Sequence, residues 1–197
     1  MYSYRVEQAI RAAAVLHKNQ VRKGEMPYPY ITHLVSVAFI LLDYTDDEDI
    51  VIAGLLHDTI EDTDYSLEEL QEDFGGRVKD IVAAVSEPRQ KNGEKLHWAD
   101  RKKAYLKQLK EGPKEALLVS AADKSHNLRT LVEAYHQDHK RFVREFGGSL
   151  TERLDQYQSL ADLFNKHLQG ELLAEFNHVF AEYKRFIYAV EQSEKDL

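Results

Sequence analysis

The chain has 197 residues, 43% apolar and 30% charged, with a formal net charge of -8 and no cysteine. That length suffices for one domain with a sizeable core, and the balance is ordinary for a globular protein. The missing cysteines exclude a disulfide scaffold, a cysteine-ligated zinc site and a thiol nucleophile, and the negative charge disfavours broad nucleic-acid binding, which needs a basic face.

The opening stretch MYSYRVEQAIRAAAVLHKNQ lacks the apolar core and cleavage site of a signal peptide. No apolar run has the length of a membrane span, so a cytoplasmic protein is expected. Val6, Ile10, Ala13 and His17 fall at helical spacing and predict the apolar stripe of a first helix. VRKGEMPYPY, broken by Gly24, Pro27 and Pro29, predicts a loop. HLVSVAFILLDY predicts a second helix with Leu34, Val37, Ala38 and Leu41 inward. DDEDIVIAGLLHDTIED opens with acids, which suit the positive end of a helix dipole. It predicts a helix from near Asp47 through Asp62, with Ile50, Gly54 and His57 in one row.

Ser66 followed by Glu69 is a capping-box pattern, and Gly75 with Gly76 ends the short helix it starts. RVKDIVAAVS predicts another helix, and EPRQKNGEK, broken by Pro88 and Gly93, a second loop. WADRKKAYLKQLKE reads as an amphipathic helix, separated by Gly112 and Pro113 from KEALLVSAADKSHNLRTLVEAY. Two long helices are expected around Gly170, with Phe176, Val179, Phe180, Tyr183, Phe186, Ile187 and Val190 forming a wide apolar face. The tail EQSEKDL is expected to fray. No alternating run is long enough to predict a strand. The expected fold is all-α, one helical bundle over residues 1–197, with a core at about 3–145 and C-terminal helices at about 149–192.

LLHDTIEDT, residues 55–63, puts dense polar chemistry at the end of an apolar run. On a continuous helix His57 and Glu61 form one i, i+4 row, and Asp58 and Asp62 a second about 100° away. All four are expected to point toward one cavity. The arrangement is locally unfavourable: a like-charged pair such as Asp58 and Asp62 repels by about 0.2–0.5 kcal/mol, and both acids sit at the negative end of the dipole. A divalent cation resolves the conflict; a solvated acidic helix end is the plainer alternative. His33 opens the second helix. Asp123 follows Leu117, Leu118 and Val119 among small residues and is expected to be buried, where an unpaired acid is expensive. Pairing with Lys124 or Arg129 is the alternative there. Together His33, His57, Asp58 and Asp123 make a set of two histidines and two carboxylates from three helices. That set suits Mn²⁺ or Fe²⁺, with Zn²⁺ also open.

The pattern H…HDxxED…D resembles the HD-domain phosphohydrolases. HKNQVRKGEMPYPYITHLVSVA, AGLLHDTIEDT, FGGRVKDIVAAVSE and ADKSHNLRTL, between about residues 17 and 131, look like the (p)ppGpp hydrolase domain of the RelA/SpoT-type enzymes. The small stand-alone alarmone hydrolases, the metazoan form included, are expected among its close relatives. The resemblance implies a single HD-domain bundle that removes pyrophosphate from the 3′ position of ppGpp or pppGpp, giving GDP or GTP. It implies that His33, His57, Asp58 and Asp123 are Mn²⁺ ligands and that Glu61 and Asp62 activate or position the attacking water. It implies that Arg22 and Lys23 are a basic pair beside the guanine nucleotide and that Asn127 lines its pocket. The residues themselves allow this chemistry. A metal lowers the pKa of bound water and screens phosphate charge, and Glu61 or Asp62 can take the proton. Two other readings compete: an HD-fold phosphatase acting on NADPH or a nucleoside monophosphate, and a catalytically silent nucleotide sensor. His17 reads as a core histidine and Tyr28, Tyr30 and Trp98 as loop anchors. No role is read for His126, and no oligomeric state.

Overall fold

The computed structural model describes residues 3–22, 27–91, 94–137 and 150–195. The elements in chain order are α1 (Tyr4–Leu16), α2 (Ile31–Leu42), α3 (Glu48–Leu56), α4 (Thr59–Asp62), α5 (Leu67–Phe74) and α6 (Gly76–Val85). They continue with β1 (Gln90–Lys91), β2 (Glu94–Lys95), α7 (Trp98–Glu111), α8 (Lys114–Gln137), α9 (Leu150–His167) and α10 (Glu171–Lys195). The architecture is all-α, as the periodicity predicts. The expectation of no strand needs one small correction: β1 and β2 pair antiparallel as a hairpin between α6 and α7. Two-residue strands are too short to leave an alternation in the sequence. No helix among the described residues is long and apolar enough to cross a membrane.

Local chemistry sets the helix ends. The Ser3 side chain accepts from the Val6 amide and starts α1, and the Asp47 carboxylate accepts from the Asp49 amide and starts α3. Ser66 and Glu69 form the expected capping box on α5. Gly75, at φ 94, then lets α6 follow at once, a left-handed conformation that costs glycine little. Gly170 makes the same kind of turn between α9 and α10. The last helix continues to Lys195, past the expected end near residue 192 and through most of the tail expected to fray.

Helix α3 is the axis of the core. Every residue from Ile50 to Leu56 is buried, so it has no outward face, and α1, α2, α6 and α8 pack around it. Gly54 permits the close approach of α2: a Cβ there would lie 2.4 Å from Leu41 Cδ1. The inward face of α2 is the expected one, Leu34, Val37, Ala38 and Leu41. The stripe expected on α1 is corrected. Ala9, Ala13 and His17 form the buried row, while Ile10 is 37% exposed. Small alanines let α1 lie close against α3. The expected apolar face of α10 is buried throughout, with Phe164 of α9 edge-on to Phe176 at 4.9 Å between ring centroids. Helix α10 packs along α8, which brings the C-terminal pair against the helix carrying Asp123.

Candidate metal centre and its acidic flank

The helix expected to run through Asp62 breaks at its polar end. Helix α3 stops at Leu56, His57 and Asp58 form a turn, and α4 is a single turn. Side chains hold the break. Nδ1 of His57 donates to the Gly54 carbonyl at 2.8 Å, and the Thr59 hydroxyl donates to the Leu56 carbonyl at 2.6 Å. Such local bonds offer the backbone an alternative to the helix ladder. The continuous i, i+4 rows are therefore corrected: Glu61 and Asp62 lie on the turn after His57 and Asp58, not on one unbroken face with them.

A carbonyl only accepts, so the Gly54 contact places the His57 proton on Nδ1 in the neutral ring and leaves Nε2 as a lone pair. That Nε2 is 3.2 Å from Asp58 Oδ2 and 3.6 Å from Asp123 Oδ1. From α2, His33 Nε2 reaches the same place, 3.2 Å from Asp123 Oδ1 and 3.7 Å from Asp58 Oδ2. Both imidazoles are buried, and neither Nε2 has an aligned hydrogen-bond partner. Two buried polar atoms without partners call for an explanation. Metal–ligand bonds of about 2.1 Å set adjacent donors about 3.0–3.4 Å apart, and the observed spacings start inside that range. His33, His57 and Asp58 each offer a ligand atom within 4.8 Å of the others, and Asp123, outside that set, places Oδ1 3.2 and 3.6 Å from the two rings. The residues fit a divalent cation. The nitrogen and oxygen donors do not choose among Mn²⁺, Fe²⁺ and Zn²⁺.

The charges are arranged to hold the carboxylates ionised. Burial opposes the charged form of Asp58, but His57 beside it holds its pKa well below the usual range. Burial likewise opposes Asp123, and Lys124 and the two histidines outweigh it. Lys124 Nζ is 2.5 Å from Asp123 Oδ2, so Asp123 uses one oxygen for this pair and presents the other to the imidazoles. Arg129, the alternative partner, instead pairs with Glu175 of α10. Burial lowers the pKa of His33. Burial also acts to lower that of His57, but Asp58 and Asp123 prevail and raise it.

Three residues are not read as part of this centre in the sequence: Tyr30 is expected as a loop anchor, His17 as a core histidine, and His126 has no role. The Tyr30 hydroxyl donates to Asp58 Oδ2 at 2.6 Å, and its ring stacks on His17 at 5.2 Å. His17 is buried, as expected, with Nδ1 2.8 Å from Gln20 Oε1. His126 Nδ1 lies 2.9 Å from Nδ1 of His33. Burial, then His33 and Arg22, push His126 down to about 4. A signal was available. Tyr30 stands three residues before His33 and His126 three after Asp123, a spacing that puts helical side chains on one face.

Of the expected nucleotide contacts, Arg22 and Asn127 come together. Arg22 Nη2 donates to Asn127 Oδ1 at 2.9 Å and to Thr130 Oγ1 at 3.2 Å. The Asn127 amide donates to Asp123 Oδ1, which links this corner to the centre. Lys23 lies outside the described residues. On the other side stands the acid pair. Glu61 Oε1 accepts from the Glu87 amide at 2.6 Å, and Arg89 Nη2 is 2.7 Å from Asp62 Oδ1. Burial raises the pKa of Glu61; the Glu87 amide pulls the other way without reversing it. Glu61 and Asp62 also line a cleft of about 690 Å³ with Asp64 and Glu69.

A family described as HD domain matches residues 9–148. A guanosine-3′,5′-bis(diphosphate) 3′-pyrophosphohydrolase of Homo sapiens is 39% identical over 126 residues, 63% of this chain and 68% of that protein. One of the same name from Haemophilus influenzae is 35% identical over 164 residues, 79% of this chain and 22% of that protein. The chain thus spans about a fifth of the length of such longer bacterial relatives. Among solved structures, a metazoan ortholog of SpoT that hydrolyzes ppGpp superposes with a TM-score of 0.75 at 25% identity, covering 92% of this chain and 97% of that one. A Listeria monocytogenes protein gives a TM-score of 0.63 at 28% identity, covering 82% of this chain and 95% of that one.

Proposed function

Because this chain belongs to the HD domain family, we propose that it is a metal-dependent hydrolase that removes the 3′-pyrophosphate from ppGpp or pppGpp, giving GDP or GTP. The observation that carries the proposal is the convergence of two buried imidazole Nε2 atoms with two carboxylates at 3.2–3.7 Å. His33, His57, Asp58 and Asp123 are assigned as ligands of one ion, Mn²⁺ by preference, with Fe²⁺ and Zn²⁺ as alternatives. Such an ion, when bound, lowers the pKa of water and screens phosphate charge. The substrate comes from the names of the relatives. A cytoplasmic location belongs to the same proposal, and so does a free guanine nucleotide rather than a nucleic acid as partner.

Glu61 suits the role of proton acceptor. Burial raises its pKa, and a more basic carboxylate takes a proton more readily. As water loses a proton to Glu61, its oxygen bonds to the phosphorus carried on ribose O3′. The P–O3′ bond breaks, O3′ takes up a proton from solvent, and pyrophosphate leaves. Arg22 and Asn127 orient the nucleotide, with Lys23 as the second cation of the loop.

A panel of nucleotides supplied with Mn²⁺, read out by product, tests this. Pyrophosphate with GDP is expected, and chelator should stop its release. Orthophosphate alone, or a preference for NADPH or a nucleoside monophosphate, would overturn the substrate. Saturable ppGpp binding without hydrolysis in any divalent metal would make the protein a sensor. Glu61→Gln with Asp62→Asn should keep the metal and lower turnover by about 10²–10⁴, the usual worth of general base catalysis.

A further inference from the structure

Arg89 stands at the base of the β1–β2 hairpin, where its carbonyl accepts from the Leu96 amide at 3.0 Å. The segment that carries it is fixed from behind. The Gln108 side chain of α7 donates to the carbonyls of Ala83, Ala84 and Ser86 at 2.8, 3.1 and 2.7 Å. The Glu87 carboxylate is held by Arg101, Nε to Oε1 at 3.1 Å, and by Lys102. The Glu87 amide in turn binds Glu61 Oε1 at 2.6 Å. Arg89 completes the contact, 2.7 Å from Asp62 Oδ1 and 3.5 Å from Glu61 Oε2.

The two carboxylates are therefore held unequally. Asp62, with 34% of its side chain exposed, gives Oδ1 to a short guanidinium contact. Its backbone is held as well, since the Gln20 side chain donates to the Asp62 carbonyl at 2.7 Å. Glu61 is only 19% exposed, and its Oε2 has just the long contact. That oxygen is the one of the four not committed to a short contact with a neighbouring cation or amide while its own carboxylate is held in place by the Glu87 amide. We propose that Arg89 is a positioning residue for the acid pair: it anchors Asp62 and so leaves Glu61 as the carboxylate that takes the proton. This rests on the hydrolase reading above. Arg89 is not a phosphate ligand in this arrangement. Arg89, Arg101, Lys102 and Lys124 face Glu61, Asp62, Glu87 and Asp123. With Asp58 also facing Glu61, the anions outnumber the cations, and no positive excess remains to attract phosphate.

Arg89→Ala, Arg89→Lys, Asp62→Asn and the double variant Arg89→Ala/Asp62→Asn are assayed on ppGpp with Mn²⁺. Arg89→Ala should lower kcat about 10²-fold, the size expected of a displaced catalytic group, with KM and Mn²⁺ affinity near wild type. Lysine should restore part of the loss, since it keeps the charge without the planar fork. The double variant should be no slower than Asp62→Asn. A raised KM with kcat intact would make Arg89 a substrate contact, and losses that multiply would separate it from Asp62; either overturns the proposal. An NMR titration of the Glu61 carboxylate in the metal-free protein needs no turnover. Asp58, Lys124 and Arg89 all face Glu61, and removing Arg89 alone should move its midpoint to higher pH, because a charge favouring the ionised form is gone. An unmoved midpoint overturns the proposal even where hydrolysis is found. A moved midpoint in a protein that leaves ppGpp intact supports the contact and removes the hydrolase reading instead.

Discussion

Replacing His126 with phenylalanine tests how the candidate centre is held together. For His33 to coordinate through Nε2, its ring must carry the proton on Nδ1. The acceptor for that proton is Nδ1 of His126, 2.9 Å away. Burial first, then His33 and Arg22, push His126 down to about 4, so it is neutral and able to accept through the physiological range. Phenylalanine keeps a ring in the space and removes the acceptor, which strands the His33 N–H in a buried position. Loss of such an outer partner costs about 10–100-fold in metal affinity, equivalent to about 1.4–2.7 kcal/mol. An unsatisfied buried donor costs about 1–3 kcal/mol by a separate route, so the two estimates agree. The assay is the Mn²⁺ dissociation constant by competition with a calibrated chelator, with circular dichroism to show that the variant is folded. A folded His126→Phe protein that binds Mn²⁺ as tightly as wild type would refute the orientation argument.

Metal affinity should also depend on pH with a definite sign. The pKa of His57 is raised in the metal-free protein, where Asp58 and Asp123 outweigh burial, so a proton competes with the ion for this ring. Mn²⁺ binding should therefore strengthen as pH climbs above the ordinary histidine range and level off once His57 is neutral. Calorimetric titrations across pH measure this, and a flat affinity would mean that His57 carries no proton in the free protein. Gly54→Ala should destabilise the fold by about 1–3 kcal/mol, the usual cost of overpacking a core, because the new Cβ would stand 2.4 Å from Leu41 Cδ1. Denaturant melts measure it, and unchanged stability would show that the Leu41 side chain turns aside at no cost.

The fold was legible where an element carries its own burial pattern. The spacing of Leu34, Val37, Ala38 and Leu41 predicts one inward face, and the structure buries all four. Helix ends were legible where one residue does the chemistry, as at Ser66, Gly75 and Gly170. Helix α1 shows the limit. Ile10 outweighs Ala9 on any hydrophobic scale, yet the neighbour crossing there is α3, and close approach favours the alanine row. Periodicity finds a stripe but does not know what it must lie against.

The same limit divides the site. His33, His57, Asp58 and Asp123 stand out because each is a polar group where burial demands a partner. Glu87 and Arg89 reach the acid pair across 26 and 27 residues of sequence, a distance over which no spacing rule operates. The break after Leu56 was the step misread, and Thr59, a residue that bonds backward to carbonyls, was its signal. The break also matters for the chemistry. On a continuous helix Glu61 would share the His57 row and become a fifth donor to the same ion. With the turn in place, the two histidines meet Asp58 and Asp123 on one side, while Glu61 and Asp62 face Glu87 and Arg89 on the other. A carboxylate bound to a cation is a weaker base, because the nearby positive charge favours its ionised form. The broken helix keeps metal binding and proton transfer on different residues.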